Sequence, residues 1–451
     1  MTMSTVWLAK QRELARGTAA LLTMLLLACA APATPLVALG QGSSDLLSQA
    51  DAILQQMSEL TGLPVKSPLK KQVISRPDVE KYLSDTLHAE STPQEMHVQE
   101  ATLQAFGFVA PDFNLEKFLI TFYTEQAAGF YDPHRRTMFI ADWVEPDMQQ
   151  MVLSHELTHA LQDQNFDLEK FLKAARSDDD ASNARQAVVE GHATAAMMQE
   201  LLAGLNMKLG DMPLLEPLMS TVIQQQFEEF PAFDKAPFFF RFQALFPYIQ
   251  GMSFMQRGLQ EGGWKRLNAL FDDPPTTTRE IFDPQAYFEK QPPAKLSSPR
   301  TVPLTGVSGL DFLAANTMGE LGYYALLGQL ISEDEAKSVA THWLADRYVL
   351  YERTAGGPSS GDLRQARQYT LVSRTRWSSA EAALAFFRDY QAILARKYPG
   401  LAPDDRSTPD LFIGSAFNGQ IILLHRGDEC LWAEGIPAAQ FDAMMSWLKA
   451  Q

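Results

Sequence analysis

Residues Pro146 to about Gln164 read as one helix, started by Pro146-Asp147 and apolar on most of its faces. A helix of that kind belongs inside a core. Yet it carries His155-Glu156-Leu157-Thr158-His159. Burying three polar side chains on an apolar helix costs several kcal/mol unless each finds a partner. Whatever fold the chain takes, a second segment must bring a matching group, an ion or a charge against this helix. Fold and chemistry are tied together at this point.

His155 and His159 lie four residues apart on one helical face, so both imidazoles can point at one ion. Glu156 stands beside the first histidine, where it can take a proton from an attacking water. Two neutral nitrogens, one carboxylate and an open fourth position suit Zn2+. Such an ion lowers the pKa of a water towards ~7 and polarises a carbonyl. The third donor is expected from the following helix, about Ala181 to Leu205, capped by Ser177-Asp178-Asp179-Asp180. Ala187, Glu190, Thr194, Met197 and Leu201 form one stripe along it, and Glu190 is the lone charge on that row. A buried carboxylate needs a cation, and a metal supplies one. His192 is the alternative third ligand; it sits ~200° round the helix from Glu190 and cannot share an ion with it. Gly191, beside Glu190, is expected to let this helix and the His155–His159 helix approach closely. His88, His97, His134, His342 and His425 stand in no ligand spacing.

The pattern His155-Glu156-x-x-His159 followed by a helix bearing Glu190 resembles the gluzincin group of zinc metallopeptidases, to which thermolysin and the large aminopeptidases belong. Upstream, the Gly129-Phe130-Tyr131-Asp132-Pro133 hairpin stands where zincins keep their substrate-binding edge strand. The run His159-Ala160-Leu161-Gln162-Asp163-Gln164-x-Phe166-Asp167-Leu168 also resembles an uncharacterised bacterial group. The resemblance spans roughly residues 100 to 290. It implies a mostly helical, zincin-like core with zinc on His155, His159 and Glu190 and with Glu156 as general base. An extended peptide would then add to the edge strand near Thr137 to Ala141.

Two departures from the family pattern matter. Thermolysin-type enzymes place an Asp four residues after the third ligand to orient a zinc histidine; here that position is Thr194, and Asp163, four after His159, is the expected substitute. The Gly-x-Met-Glu-Asn signature of the large aminopeptidases is missing, which favours endopeptidase action. Tyr248, in Phe246-Pro247-Tyr248, is the expected transition-state donor, with a plain core aromatic as the alternative.

Around this centre the sequence predicts an α+β chain. Residues 41–290 form the zincin-like domain, with Gln41–Ser44 as a tether and helices over Asp45–Leu60, Tyr82–Phe108 and Leu115–Gln126. Gly129–Tyr131 and Thr137–Ala141 read as a hairpin across Asp132-Pro133-His134-Arg135-Arg136. Residues 291–306, with Pro292, Pro293, Pro299 and Pro303, read as a linker. Residues 307–451 form a smaller α+β domain. It opens with helices near Leu310–Leu330 and Asp334–Trp343, followed by strands at Arg347–Glu352 and Tyr369–Arg374. A helix at Ala380–Arg396, strands at Leu411–Phe417, Gln420–Leu424 and Leu431–Glu434, and a helix at Ala438–Leu448 complete it. Trp343, Trp377 and Trp432 are expected in its core.

The N-terminus reads as an address. Lys10, Arg12 and Arg16 precede the apolar run Ala19–Ala31, which has the length of a signal-peptide core. Leu26-Leu27-Ala28-Cys29 resembles a lipobox, with a lipid anchor at Cys29; Ala38-Leu39-Gly40 resembles an ordinary cleavage site. Residues 1–40 are thus a signal peptide or lipoprotein signal, and the protein is expected outside the cytoplasm. The net charge of -16 becomes two units more negative without residues 1–28, which argues against a nucleic-acid partner. Two cysteines cannot build a disulfide framework. The expected function is an exported zinc endopeptidase acting on peptides or proteins. The alternative is a non-catalytic exported binding or assembly protein with a structural metal.

Overall fold

The computed structural model describes residues 42–144, 146–213, 215–227, 230–292, 309–353 and 368–451, with residues 294, 296, 302–304 and 306–307 between them. The expected export segment, with Cys29 and Ala38-Leu39-Gly40, lies outside the described residues. No helix among the described residues is long and apolar enough to cross a membrane.

The described chain opens with α1 (Gly42–Thr61), β1 (Lys70–Ile74), α2 (Arg76–Glu90), α3 (Pro93–Phe106) and α4 (Leu115–Gln126). The hairpin β2 (Gly129–Asp132) and β3 (Thr137–Ala141) follows, then α5 (Pro146–Phe166), α6 (Leu168–Lys173) and α7 (Asp179–Ala203). Next come α8 (Glu216–Phe227), α9 (Pro231–Asp234) and the long α10 (Phe238–Asn268), then α11 (Thr278–Phe282) and α12 (Pro284–Phe288). The C-terminal part runs β4 (Leu310–Asn316), α13 (Gly319–Leu330), α14 (Glu333–Ala340), β5 (Trp343–Arg353) and β6 (Tyr369–Trp377). It closes with α15 (Ala380–Lys397), β7 (Ala402–Pro403), β8 (Leu411–Ala416), β9 (Gly419–Arg426), β10 (Glu429–Ile436) and α16 (Phe441–Ala450).

The start signals act where the sequence puts them. Thr92 and Glu95 form a reciprocal capping box on α3, and Asn114 caps α4 through the Lys117 N–H. Asp178 caps α7 through the Ala181 N–H, so that helix begins at Asp179, two residues before the expected start.

Three expectations are corrected. Gln41–Ser44 is not a tether in full: α1 already begins at Gly42, because Ser and Asp suit a first turn. Thr137–Ala141 is not an edge strand. The small sheet runs β1-β3-β2, and β1 lies parallel along β3 from Lys70↔Thr137 to Ile74↔Ala141. β1 escaped notice because Lys70-Lys71-Gln72 is too polar to read as a strand, and its partner lies more than sixty residues away. Leu310–Asn316 is a strand rather than helix. Its register with β5 shifts between Phe312 and Ala314, so the buried Leu310 and Leu313 stand three apart, a spacing that imitates a helix.

The C-terminal sheet has seven strands in the order β4-β5-β6-β10-β9-β8-β7, paired antiparallel throughout. Trp343, Trp377 and Trp432 are buried in its core beside Phe386 and Tyr390 of α15, as expected. Cys430 is a buried free thiol in that core. Ala105 and Phe106 of α3 belong to the same cluster, so the packing boundary does not follow the chain boundary at 291–306. In the helical part, Leu153, Leu157 and Leu161 of α5 pack on Ile53, Leu54 and Met57 of α1. Ala184, Ala187 and Val188 of α7 pack on Phe246, Met252 and Met255 of α10.

Asp178 joins the two parts, with Arg347 Nη1 of β5 at 3.1 Å; next to it, inside the C-terminal part, the Asp346 oxygens accept the Met318 and Gly319 N–H groups at 2.9 and 3.0 Å. Burial nevertheless outweighs those bonds and pushes the Asp346 carboxyl up to about 7. Its folded-state value therefore lies above that of an unfolded Asp, ~3.9. The resulting stabilisation is complete below the unfolded value and is lost as pH rises through about 7. Asp179, pushed by burial to about 6, acts in the same direction. Thermal melts at constant ionic strength are expected to give a lower Tm at pH 8 than at pH 5.5. The difference corresponds to a few kcal/mol at ~1.4 kcal/mol per pKa unit. Asp346→Asn, which gives up one backbone acceptor, should be less stable at pH 5.5 but flatter with pH. A Tm that rises across this range would contradict the assignment.

Candidate metal centre

The centre sits where α5, α7 and α10 meet. Helical geometry sets His155 and His159 side by side on α5, and their rings are T-shaped with centroids 4.6 Å apart. Glu190 arrives from α7. His155 Nε2 and His159 Nε2 lie 2.9 Å apart, and Glu190 Oε2 is 3.3 and 3.2 Å from them. All three side chains are fully buried, and among the described residues they form the group that can hold a metal ion. A tetrahedral ion with bonds of ~2.0–2.2 Å spaces its ligands roughly 3.3 Å apart. The observed triangle meets that requirement to within a few tenths of an ångström.

Backbone contact sets the approach of the helices. Gly191 of α7 faces Gly251 of α10 so closely that a Cβ on Gly191 would stand 2.5 Å from the Gly251 carbonyl carbon. A Cβ on Gly251 would stand 2.6 Å from the Ala187 carbonyl oxygen. This crossing lies one residue from Glu190 and three from Tyr248, so it carries both onto α5. A close approach is expected at Gly191 between α5 and α7; the structure makes it instead between α7 and α10, against Gly251. β2 is seated on α5 in the same manner: a Cβ on Gly129 would lie 2.8 Å from Val152 Cγ1 and 2.9 Å from the Phe139 carbonyl oxygen.

Glu156 occupies the gap between β2 and the triad. It accepts the backbone N–H of Tyr131, while its Oε2 is buried without a partner. Burial raises this carboxyl to about 8. Burial lowers His155 to about 4. Burial also works to lower His159, but the Glu190 charge and hydrogen bond overcome it and hold the ring at about 9. For Glu190 burial would raise the value, yet the His159 charge and bonds from both imidazoles bring it down to about 2. The site thus keeps one carboxylate ionised and another poised for a proton. Tyr248 lies beside them, its ring centroid 6.2 Å from that of His155 and its hydroxyl bonded to Glu190.

The outward face of His159 is held by a chain of amides. Its Nδ1 meets Gln162 Oε1 at 2.9 Å; Gln162 Nε2 donates to the Val189 carbonyl at 2.9 Å and meets His192 Nδ1 at 3.1 Å. His192 Nε2 meets Asn268 Oδ1 at 3.0 Å, and Asn268 Nδ2 donates to the Thr61 carbonyl at 3.0 Å. Two backbone carbonyls that can only accept fix which way each amide points. It follows that His192 carries its proton on Nε2 and His159 carries one on Nδ1. Loss of the second ring proton from Nε2, as metal binding requires, then leaves the His159 lone pair directed at Glu190 and His155. On the other side, Gln186 Nε2 donates to Glu190 Oε1 at 2.8 Å and leaves Oε2 facing the imidazoles.

These contacts decide among the expected residues. His155, His159 and Glu190 come together, with Glu156 and Tyr248 beside them. His192 is not the third ligand; it points the opposite way into the amide chain. Asp163 does not orient a histidine, because its oxygens accept from the Tyr131 hydroxyl at 2.9 Å and the Leu168 N–H at 3.2 Å. The residue three after His159, Gln162, takes that role. Thr194 is buried with an unpartnered hydroxyl, so it orients nothing in this site. Gln162 and Gln186 were within reach of helical periodicity, at i+3 from His159 and i−4 from Glu190. Asn268 had no local signal, being 76 residues from His192.

Residues 309–445 match a family described as a domain of unknown function, DUF8575. That stretch belongs to the seven-stranded sheet and contains none of the residues of the centre. No curated protein and no solved structure matches the chain.

Proposed function

We propose that this chain is a zinc-dependent peptidase of gluzincin type with a zincin-like helical core, acting outside the cytoplasm on peptides or proteins. The observation that carries this reading is the buried 2.9–3.3 Å triangle of two imidazoles and one carboxylate, with the free oxygen of Glu156 beside it. Zinc on His155, His159 and Glu190 would polarise the scissile carbonyl and acidify water. Glu156 Oε2 takes a proton from water as its oxygen bonds to the carbonyl carbon, and returns that proton to the nitrogen as the C–N bond breaks. The Tyr131 N–H holds the second Glu156 oxygen in place throughout. Tyr248 supplies a hydroxyl donor next to the developing charge. The acidic balance leaves no reason to assign a nucleic-acid partner.

Complete burial of the triad favours a second reading, a structural metal in a non-catalytic protein. A closed structural site uses four protein ligands, and three are found here among the described residues. Incubating the zinc-loaded protein with proteome-derived peptides separates the two. New N-termini that disappear with a chelator and return with zinc are expected. No cleavage, or cleavage indifferent to chelation, would remove the peptidase reading.

A further inference from the structure

A cavity of about 330 Å³ lies between the helical part and the seven-stranded sheet. From the helical side it is walled by Leu119 and Tyr123 of α4, Gln186 of α7 and Phe240 of α10. From the sheet side it is walled by residues 312–316 of β4. Gln186 is the residue that donates to Glu190 Oε1, and Tyr123 lies within electrostatic reach of Tyr248. The cavity therefore abuts the metal centre from behind Glu190. Its volume sits at the lower end of the ~300–1,000 Å³ usual for ligand pockets, and its walls are chiefly aliphatic and aromatic.

A second, independent feature meets it there. β4 is the terminal strand of the sheet, laddered to β5 on one side alone. Among the described residues, its backbone bonding outside that ladder is confined to the Leu310 N–H on the Val307 carbonyl, at its very start. Asp311 and Ala315 are exposed. An unpaired edge of this kind is a template for another extended segment. In the small sheet β3 is paired on both sides, and the terminal strand β2 is buried along its whole length and gives its Tyr131 N–H to Glu156.

We propose that β4 and the adjoining cavity are the substrate-docking site, where an extended peptide pairs with β4 and sets an apolar side chain in the cavity. This rests on the peptidase reading and names its substrate class: extended segments with a large aliphatic or aromatic residue. Gln186 lines the cavity and bonds Glu190, so a segment docked there lies one side chain from the donor triangle.

The test uses the full-length, zinc-loaded Glu156→Gln protein and a pool of unstructured ten-residue peptides with a photo-reactive phenylalanine analogue at the centre. Cross-links are expected on β4 and the cavity wall. They should be suppressed by competing peptides with central Leu or Phe and not by those with central Asp or Lys. In the wild-type protein, Ala315→Pro and Leu119→Trp should each raise KM for cleavage of a Leu-centred peptide about tenfold with zinc content unchanged. Either variant suffices should the other fail to fold. Cross-links on β4 without cleavage by wild-type protein would uphold the docking site and remove the peptidase. Cleavage with cross-links elsewhere, and KM unmoved by either variant, would overturn the docking site and leave the peptidase standing. Neither cross-links nor cleavage overturns both.

Discussion

Glu156→Gln is expected to fold, to bind zinc at one ion per chain, and to lose peptide cleavage by about a thousandfold. The magnitude follows from removing general-base and general-acid assistance, worth ~10²–10⁴ in rate. The substitution is close to isosteric. The Gln carbonyl oxygen can still accept the Tyr131 N–H, so β2 stays seated on α5. What disappears is the carboxylate, whose unpartnered Oε2 is the atom assigned to the proton. Because burial raises the Glu156 carboxyl to about 8, the neutral amide also removes a group whose charge the interior resists. The variant should therefore melt no lower than the parent protein. Zinc by elemental analysis, Tm and turnover on one peptide are the three readings. Unchanged turnover would end the assignment of Glu156, and loss of zinc would make it a ligand instead.

Glu190→Ala is expected to weaken zinc binding by at least about a thousandfold, against roughly 10–100-fold for Gln162→Leu or His192→Ala. The first removes the only carboxylate of the donor triangle. It also strands the Gln186 amide and the Tyr248 hydroxyl, which lose their acceptor, at ~1–3 kcal/mol for each buried group left unsatisfied. The other two leave every ligand in place and release only the hold on the His159 tautomer. Competition against a chromophoric chelator ranks the three directly. If His192→Ala proved as damaging as Glu190→Ala, the direction of α7 in the site would be wrong. If Gln162→Leu had no effect, the amide chain from Thr61 to His159 would be packing alone.

Much of the centre was legible because helices are locally periodic. The four-residue step between His155 and His159, the lone charge of Glu190 on its stripe, and the cap at Asp178 all follow from positions a few residues apart. The aromatic and β-branched run at Thr137–Ala141 was legible as a strand for the same reason. The errors arose where a distant partner decides. Asp163 and Gln162 are adjacent, both nearly in line with His159, and only the seats of Tyr131 on one side and His192 on the other determine which faces the ring. The β4 bulge gave a strand the spacing of a helix, and the parallel pairing of β1 turned an expected edge strand into a central one.

By itself, then, the sequence determined that two imidazoles and a neighbouring carboxylate share a buried helix and that Glu190 is the lone charge on one stripe of a second. Those features depend on backbone geometry within one or two turns. Tertiary structure alone decided that Glu190 rather than His192 meets the imidazoles, through the Gly191–Gly251 contact that fixes how α7 is rotated and how closely it approaches. It likewise decided that β3 is interior to its sheet while β4 is a terminal strand. Rotation, register and edge exposure are settled by contacts between segments tens to hundreds of residues apart, and no local pattern encodes them.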